Sequence, residues 1–434
     1  MKVTVPKLSL VVLIGSSQSE QSLFAKKHFH PDEVISEEVL SGVPNERNQQ
    51  NLSQAAFDSI QAAAAELLAL GQLAVVVAAN SNPVTRSTLL QLAKQYHCHS
   101  VAIALNPSDD AFQHRRQLPE NCTPGFRDSH QRPSHPQSAH HALKQEGFRH
   151  VFVMDSLEQI AAATIEKVPL WNDQRDQHGP FDIIGDVHGC CDELEQLLER
   201  LGYQPFPAEN PAGWGNVSYR HPAGRKAFFV GDLVDRGPRV LDVLRIARSM
   251  IVRGNALCVS GNHDVKLLRK LRGKNPRATH GLAETWNEVE ALPDEVRGKF
   301  CNELALFLES LVSHYVLDDG KLVVAHAGLK ESYQGRTSGK VKSFAIYGDT
   351  TGETDSFGMP VRRNWAAEYS GSAMVIYGHT PVAEPLWLNH TVNIDTGCVF
   401  GGKLTAMRYP EKEFISVPAR RTYCQPSRPF LPDQ

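Results

Sequence analysis

Four absences narrow the reading of this chain. No C-x-x-C occurs among its eight cysteines, at 98, 122, 190, 191, 258, 301, 398 and 424, and the only close pair is adjacent. That pattern excludes a disulfide scaffold and points to reduced thiols in a cytoplasmic protein. No excess of charge exists either, since 45 Lys and Arg face 48 Asp and Glu for a net −3. No global basic field therefore draws the chain to nucleic acid, and any such contact must rest on a local patch. No apolar run reaches the 18 or so residues that a membrane span needs, so no membrane partner is expected. Lys2 and Lys7 ahead of LSLVVLI imitate a short signal peptide, but GSSQS offers no clear small-x-small cleavage site, and a buried first strand is expected instead. Finally, no fixed-period repeat runs through the chain.

What is present is ordinary for a globular protein: 434 residues, 41% hydrophobic and 21% charged, enough for two or three domains. Residues 8–105 alternate between apolar strands (LSLVVLIG, LAVVVAA, SVAIAL) and helical stretches. The first of these helices opens at Ser53 as N-cap and closes at Gly71; the second covers residues 85–97. This is a parallel α/β pattern. Residues 117–141, rich in Pro and His, are expected to be irregular, with His130, His135, His140 and His141 as solvated loop histidines too unevenly spaced for a metal site. HVFVMDS closes this part as a strand. WNDQRDQHGP, residues 171–180, reads as a polar linker between a domain at 1–170 and a second at 181–434.

The second region repeats one arrangement. FDIIGDVHG, AFFVGDLVDRG, LCVSGNHD, LVVAHAG and MVIYGHTP each run from apolar residues into Asp, His, Asn or Arg. In open α/β sheets ligands sit beyond the carboxyl ends of strands, so five such ends can converge on one cleft. They bring Asp186, His188, Asp232, Asn262, His326 and His379. Oxygen and imidazole donors without thiolate suit Mn, Fe, Ni or Zn in a catalytic role. Two ions about 3.5–4 Å apart, with Asp232 shared between them, lower the pKa of a water from 15.7 towards about 7. A lone GD or GNHD is usually a turn; GDVHG, GDLVDRG and GNHD in order, each after a strand, is much rarer.

This set resembles the binuclear metallophosphoesterases of phosphoprotein-phosphatase type. With THGLAET (279–285), AHAGLKESYQGRTSG (325–339), YGDTTGETD (347–355), YGHTPV (377–382) and IDTGCVFGGKLTAMRYPE (394–411), it resembles bacterial polynucleotide kinase-phosphatase, an RNA end-repair family. The likeness covers nearly all of 8–430 and is weaker in the N-terminal part. It implies a P-loop-kinase-like parallel α/β domain, then a calcineurin-like α/β domain built as a β-sandwich with flanking helices. The family's third, ligase-like module is expected to be missing, which leaves room for a separate ligase partner. By this resemblance Asp186, His188 and Asp232 hold one divalent ion, and Asp232, Asn262, His326 and His379 hold the other, with manganese expected. His263 would protonate the leaving oxygen, oriented by Asp235, and Arg236 would grip the phosphate. Asp395 and His280 would be accessory. An imidazolium fixed by a carboxylate is a good acid near neutral pH, and a guanidinium fork fits phosphate. The plainer alternatives are a structural arginine at 236, a turn cap at Asp235, a helix cap at His280, and packing for Cys190 and Cys191.

The same resemblance places GSSQSEQS, residues 15–22, on the kinase phosphate loop G-x-x-x-x-G-K-[ST]. Gly15 and Ser22 fit its ends. Glu20 stands in place of the second glycine and Gln21 in place of the lysine, which removes a cation and adds an anion where phosphate would lie. One like-charge pair at about 4 Å costs on the order of 4 kcal/mol at an effective dielectric near 20. Glu38 occupies the place of the family's phosphoacceptor aspartate, Ala78 that of a second acid, and the arginine-rich lid has dwindled to the surroundings of Arg115 and Arg116. The expectation is a kinase fold that neither binds ATP nor phosphorylates, and that instead steadies the phosphatase, pairs two subunits into a homodimer, or holds RNA.

For substrate, KLLRKLRGKNPR (266–277) carries six basic residues and no acid, and Lys340, Lys342, Arg362 and Arg363 add to it. With the family likeness this favours RNA or nucleotide 2′- or 3′-phosphate ends, including a 2′,3′-cyclic phosphate. A solvated helix face is the bland reading of such a run. Protein Ser/Thr phosphatases and dinucleoside polyphosphate hydrolases share the metal motifs and stay open, as does a non-catalytic RNA- or partner-binding role.

Overall fold

A computed structural model of the chain describes residues 1–15, 17–36, 54–78, 82–105, 136–211, 213–277, 279–356, 358 and 360–426. They form two units, Met1–Leu170 with Arg336–Ser338, and Trp171–Gly335 with Gly339–Gln434.

In the first unit β1 (Lys2–Pro6) is followed by β2 (Ser9–Gly15), β3 (Val34–Ser36), β4 (Ala74–Val77), β5 (His99–Leu105), β6 (His150–Met154) and β7 (Thr164–Val168). β1 and β7 pair as a separate parallel ribbon. The others form a parallel sheet in the order β3-β4-β2-β5-β6. SLVVLIG, AVVV and HSVAIAL are apolar at nearly every position because both faces are covered. Leu10, Val12 and Val76 pack with Ile60 and Leu89 on one side, while Val11, Leu13 and Val75 pack with Phe24 and Ala25 on the other. The covering helices are α1 (Gln18–His28), α2 (Gln54–Ala69), α3 (Pro83–Gln95), α4 (Pro136–Glu146) and the short α5 (Leu157–Ala161).

Two expectations need correction. Residues 136–141 are not irregular: they open α4, whose first residue is Pro136, a position where proline's missing N–H costs nothing. His140 and His141 are exposed on that helix. Residues 171–180 are not a free linker: β8 (Asp173–Gln174) pairs parallel with a strand of the second unit, and Asn172 is buried and donates from Nδ2 to His314 Nε2 at 2.8 Å. Their polar composition is that of a short edge strand. Ser53, Glu38, Arg115, Arg116, His130 and His135 lie outside the described residues.

The second unit holds β9 (Phe181–Ile184), β10 (Gln204–Pro207), β11 (Val217–Arg220), β12 (Lys226–Phe229), β13 (Ala256–Cys258), β14 (His314–Leu317), β15 (Leu322–Ala325), β16 (Thr350–Thr354), β17 (Pro360–Arg362), β18 (Met374–Tyr377), β19 (Leu386–Leu388), β20 (Thr391–Asn393), β21 (Lys403–Tyr409) and β22 (Phe414–Pro418). One sheet runs β13-β12-β9-β21-β22 and another β19-β20-β18-β15-β14-β8. Phe181, Ile183, Phe228 and Val230 of the first meet Leu322, Val324, Ile376 and Val392 of the second in a shared core. The outer faces carry α6 (Cys191–Leu201), α7 (Val240–Val252), α8 (Asn262–Leu271), α9 (Leu282–Glu290), α10 (Asp294–Ser310) and α11 (Gly339–Tyr347). The fold is the expected β-sandwich with flanking helices. Within each sheet three strands are parallel, β9, β12 and β13 in one and β15, β18 and β20 in the other. Six carboxyl ends thus open at one edge of the sandwich.

Candidate metal centre

Apart from His280, each candidate metal or catalytic residue named from the motifs follows one of those six ends. Asp186 and His188 follow β9; Asp232, Asp235 and Arg236 follow β12; Asn262 and His263 open α8 after β13. His326 follows β15, His379 follows β18 and Asp395 follows β20. The turns are tight. His188, Asp232, Asp235, Arg236 and His379 all have φ between 43° and 72°, a left-handed conformation that costs a non-glycine residue of order 1–3 kcal/mol. Five such residues in one place mark a site held against local preference by its surroundings. Gly261 and Gly378 permit the close approach: a Cβ on either would lie 2.1 Å from Oδ1 of Asp232 or of Asp186 respectively.

Asp232 is the centre. Its Oδ1 accepts from the backbone N–H of His263 at 2.9 Å. Its Oδ2 faces His188 Nε2 at 3.5 Å on one side and His326 Nε2 at 3.4 Å on the other. His188 and His326 turn their Nδ1 atoms to backbone carbonyls, of Val234 at 2.8 Å and Val230 at 3.0 Å. Each Nδ1–H is fixed by that bond, so each Nε2 lone pair points inward, the second-shell arrangement typical of metal-binding histidine. His326 Nε2 also lies 3.1 Å from Asn262 Oδ1 and 3.0 Å from His379 Nδ1. Asp186 Oδ2 accepts from the His379 backbone N–H at 3.1 Å, while its buried Oδ1 has no hydrogen-bond partner.

These residues fit a pair of divalent ions. Two sets, His188 with Asp232 and His263, and Asp232 with His326 and His379, each place three ligand atoms within 4.8 Å of one another, and Asp232 belongs to both. The electrostatics ask for positive charge. Burial, then the carboxylate of Asp395, pushes Asp186 well above the usual carboxylate range. Burial carries Asp395 up to about 6. For Asp232 burial opposes ionisation, but the imidazoles of His326, His263 and His188 outweigh it and hold the group well below its ordinary value. Burial would lower His326, yet Asp232 and Asp186 bring it to about 9. An orphaned carboxylate oxygen among buried acids is what a cation satisfies.

The proton-transfer pair lies beside this centre. His263 Nδ1 is 2.6 Å from Asp235 Oδ2, and Asp235 Oδ1 accepts from Thr285 Oγ1 at 2.7 Å. His263 is nearly buried and its ring meets that of His188 edge-on at 4.8 Å. Arg236 donates from Nη1 to His188 Nε2 at 2.5 Å, and its guanidinium lies over Phe400 at 5.1 Å. His280, in the turn before α9, is exposed; burial of part of its ring, with Arg236 and Lys266 nearby, lowers its pKa.

Two residues were missed or misplaced by sequence reasoning. Asp264 is buried and accepts three backbone N–H groups, from Gly261 (2.8 Å) and Asp232 (2.9 Å) on Oδ2 and Leu233 (3.1 Å) on Oδ1. It ties the β12 and β13 loops together, and burial followed by Asp232 raises it to about 7. Its signal in the sequence was the acidic third residue of a helix, which reads as a cap. Arg362, counted with a surface patch, instead donates from Nη2 to His379 Nε2 at 2.7 Å and from Nε to Tyr347 O at 3.3 Å. The 266–277 patch is also less available than its composition suggests: Lys266 binds Thr279, Lys270 sits over Trp286, and Arg272 pairs with Glu309.

In the first unit Gly15 ends β2, and Ser17 caps α1 by accepting from Glu20 N at 3.3 Å. Gln21 is buried and folds back, donating from Nε2 to Gly15 O at 3.0 Å. Where a P-loop lysine would reach outward, an amide closes on the loop's own backbone. Glu20 sits in the first turn of α1, where it occupies the helix's positive end, and Ser22 follows half-buried. Ala78, just past β4, is buried.

The calcineurin-like phosphoesterase model matches residues 179–383, and an AAA domain model matches residues 10–119. A protein of Anoxybacillus flavithermus named bis(5'-nucleosyl)-tetraphosphatase PrpE (asymmetrical) is 48% identical over 251 residues, 58% of this chain and 99% of its own length. Proteins of the same name from a Geobacillus species and from Halalkalibacterium halodurans are 47% and 46% identical, across 97% and 94% of their lengths. Among the described residues no helix is long and apolar enough to cross a membrane.

Proposed function

The chain belongs to the calcineurin-like phosphoesterase family and is a metallophosphoesterase, and from that premise we propose that it hydrolyses nucleotide phosphates, with a dinucleoside polyphosphate as preferred substrate. The observation that carries the hydrolytic reading is the Asp232 carboxylate set between His188 and His326, with the orphaned Oδ1 of Asp186 beside it. The substrate class is supported by relatives 46–48% identical that bear a tetraphosphatase name over almost their whole length.

Asp186, His188 and Asp232 would hold one ion, and Asp232, Asn262, His326 and His379 the other, with manganese the metal to try first. Bound there, divalent ions supply Lewis acidity, polarising phosphoryl oxygens and acidifying water. The chain's own residues do the rest. Arg236 grips the phosphoryl group under attack and offsets its growing charge. Arg362, behind His379, adds a second cation. Asp235, itself fixed by Thr285, holds the His263 ring so that its Nε2 proton is aimed at the leaving oxygen. Asp264 keeps the Asp232 turn in register. Water adds across one P–O–P linkage: its oxygen bonds to the terminal phosphorus, the bridging oxygen leaves and takes a proton, and a mononucleotide and a nucleoside triphosphate result.

A second reading stays in view, hydrolysis of RNA 2′/3′-phosphate ends, because an AAA-type segment precedes the phosphoesterase here as in the RNA-repair proteins that the motifs resemble. The inward-turned Gln21 favours a first unit without kinase activity in either case. Purified protein with Mn²⁺ and a panel of diadenosine tetraphosphate, 3′-phosphorylated RNA and a phosphopeptide separates the readings by kcat/KM. We expect at least tenfold preference for the tetraphosphate, giving ATP and AMP. A tenfold preference for RNA would replace the first reading with the second. Turnover that persists at the wild-type rate in Asp186→Asn would overturn the site itself.

A further inference from the structure

A cavity of about 730 Å³ opens beside the metal centre and shares one wall with it: Arg236 lines both. Its other walls come from the loop leading into α7 (Gly237, Pro238), from α9 and its C-cap (Glu284, Asn287, Glu288, Ala291), and from the chain segment after β22 (Arg421, Thr422, Tyr423). The α9 residues are spaced three and four apart, so they share one face of the helix. Glu288 is engaged, its two oxygens accepting from Val240 N and Leu241 N at 2.9 Å each. Glu284 and Asn287 are exposed, and among the described residues their side chains have no hydrogen-bond partner. Opposite them the Arg421 guanidinium lies over the Tyr423 ring at 5.2 Å, and Tyr423 is itself anchored, its hydroxyl donating to Glu193 Oε1 at 2.8 Å. The platform is thus pinned at its base while its outer face is open.

We propose that this cavity seats a nucleoside of the substrate, in continuity with the phosphates held at Arg236. The inference rests on the nucleotide reading above and deepens it. A flat guanidinium backed by an aromatic ring offers a stacking surface for a base. An unpaired amide at Asn287 presents a donor and an acceptor to a base edge, and the Glu284 carboxylate can accept from ribose hydroxyls. The volume lies within the range of small-molecule sites. Arg236 would hold the phosphate end while Arg421 faces the base, so the cavity suits a nucleotide and offers a plain phosphomonoester nothing to stack. The neighbouring sites then divide the work: Arg236 holds phosphate, while α9 and the Arg421–Tyr423 pair read what is attached to it.

The test compares diadenosine tetraphosphate with p-nitrophenyl phosphate in wild type, Asn287→Ala and Arg421→Ala, both changes at exposed positions. The ratio of kcat/KM on the nucleotide to that on the aryl phosphate should fall at least tenfold in Arg421→Ala and about fivefold in Asn287→Ala, through KM rather than kcat. A ratio within twofold of wild type in both variants overturns the proposal. To separate it from the substrate assignment, ATP and inorganic tripolyphosphate are compared as inhibitors of p-nitrophenyl phosphate hydrolysis. Stronger inhibition by ATP, reduced tenfold in Arg421→Ala, supports a nucleoside seat even if diadenosine tetraphosphate is not cleaved. Equal inhibition by the two refutes the seat even if it is.

Discussion

Removing the Asp264 carboxylate tests whether the metal centre is held together by its backbone hydrogen bonds. Asp264 accepts the N–H groups of Gly261, Asp232 and Leu233 at 2.8, 2.9 and 3.1 Å, all in a buried setting. Hydrogen bonds to a charged acceptor contribute about 1.5–3 kcal/mol each, and a buried donor left unpaired costs about 1–3 kcal/mol. In Asp264→Asn the amide oxygen can keep the Gly261 and Asp232 bonds only by turning its NH₂ against Leu233 N–H, so about 2 kcal/mol should be lost. Asp264→Ala strands all three donors, and about 4–5 kcal/mol should be lost after crediting the relief of burying an acid that resists ionisation. The five tryptophans, at 171, 214, 286, 365 and 387, all lie in the second unit, so urea unfolding followed by tryptophan fluorescence reports on that unit by itself. Measurements at pH 8 keep the carboxylate ionised, above the value of about 7 to which burial raises it. If Asp264→Ala costs less than about 1 kcal/mol, the three N–H groups find other partners and the tie between the two loops is not what positions Asp232.

Four further outcomes are expected. His263→Ala should slow phenyl phosphate at least a hundredfold more than p-nitrophenyl phosphate, whose leaving group departs unprotonated; equal losses on both would remove His263 as the acid. Asp232→Asn should bring bound manganese after dialysis well below that of Asp186→Asn, because Asp232 stands in both of the clustered ligand groups whereas Asp186 is assigned to one ion only by the proposal above; equal metal content would deny the shared role. His314 is buried and neutral, its Nε2 accepting from Asn172 Nδ2 and Gly335 N, and burial followed by Arg175 lowers it to about 3. Its folded value lies below the ordinary 6.5, so its contribution is complete above pH 6.5 and drains away as pH falls towards 3. About 2 kcal/mol should be gone at pH 5, and His314→Gln should flatten that slope; identical pH profiles would refute it. Restoring Gly and Lys at positions 20 and 21 should yield no phosphorylation of a 5′-OH end, since Ala78 still replaces the acid beyond β4; recovered transfer of labelled phosphate would contradict this.

The sequence was most legible where chemistry and strand ends coincide. Each of GDVHG, GDLVDRG, GNHD, AHAG and YGHTP follows an apolar run, and a parallel strand can only deliver its terminal loop to one edge of its sheet. Strand alternation and the order of motifs were therefore enough to predict a shared cleft. Asp264 escaped because two of its three partners are backbone N–H groups about thirty residues away, those of Asp232 and Leu233, and backbone donors leave no mark in composition. Arg362 escaped for the opposite reason. A charge beside other charges reads as surface, and only the turn of β17 against His379 shows it facing inward. The strand at Asp173–Gln174 was hidden by its length, since two residues at a sheet edge carry no periodicity. The helix at Pro136–Glu146 was hidden by a proline that begins it rather than breaks it.

The first unit sets a tightly packed sheet beside a loop whose polar residues are held locally. The buried strands SLVVLIG, AVVV and HSVAIAL are constrained at every position by packing on two faces, and loss of any one large side chain there costs about 2–5 kcal/mol. Beyond β2 the constraint is polar instead, with Gln21 buried against the Gly15 carbonyl. Gln21 makes an inward bond to Gly15 O, and Glu20 settles at a helix end that favours an anion. Both arrangements are compatible with a stable helix start and, by the charge argument, opposed to binding a nucleoside triphosphate. Packing on two faces is enough to account for the likeness of the first unit's strands, so that likeness says nothing for kinase activity, whereas in the second unit the polar residues at the strand ends carry the likeness.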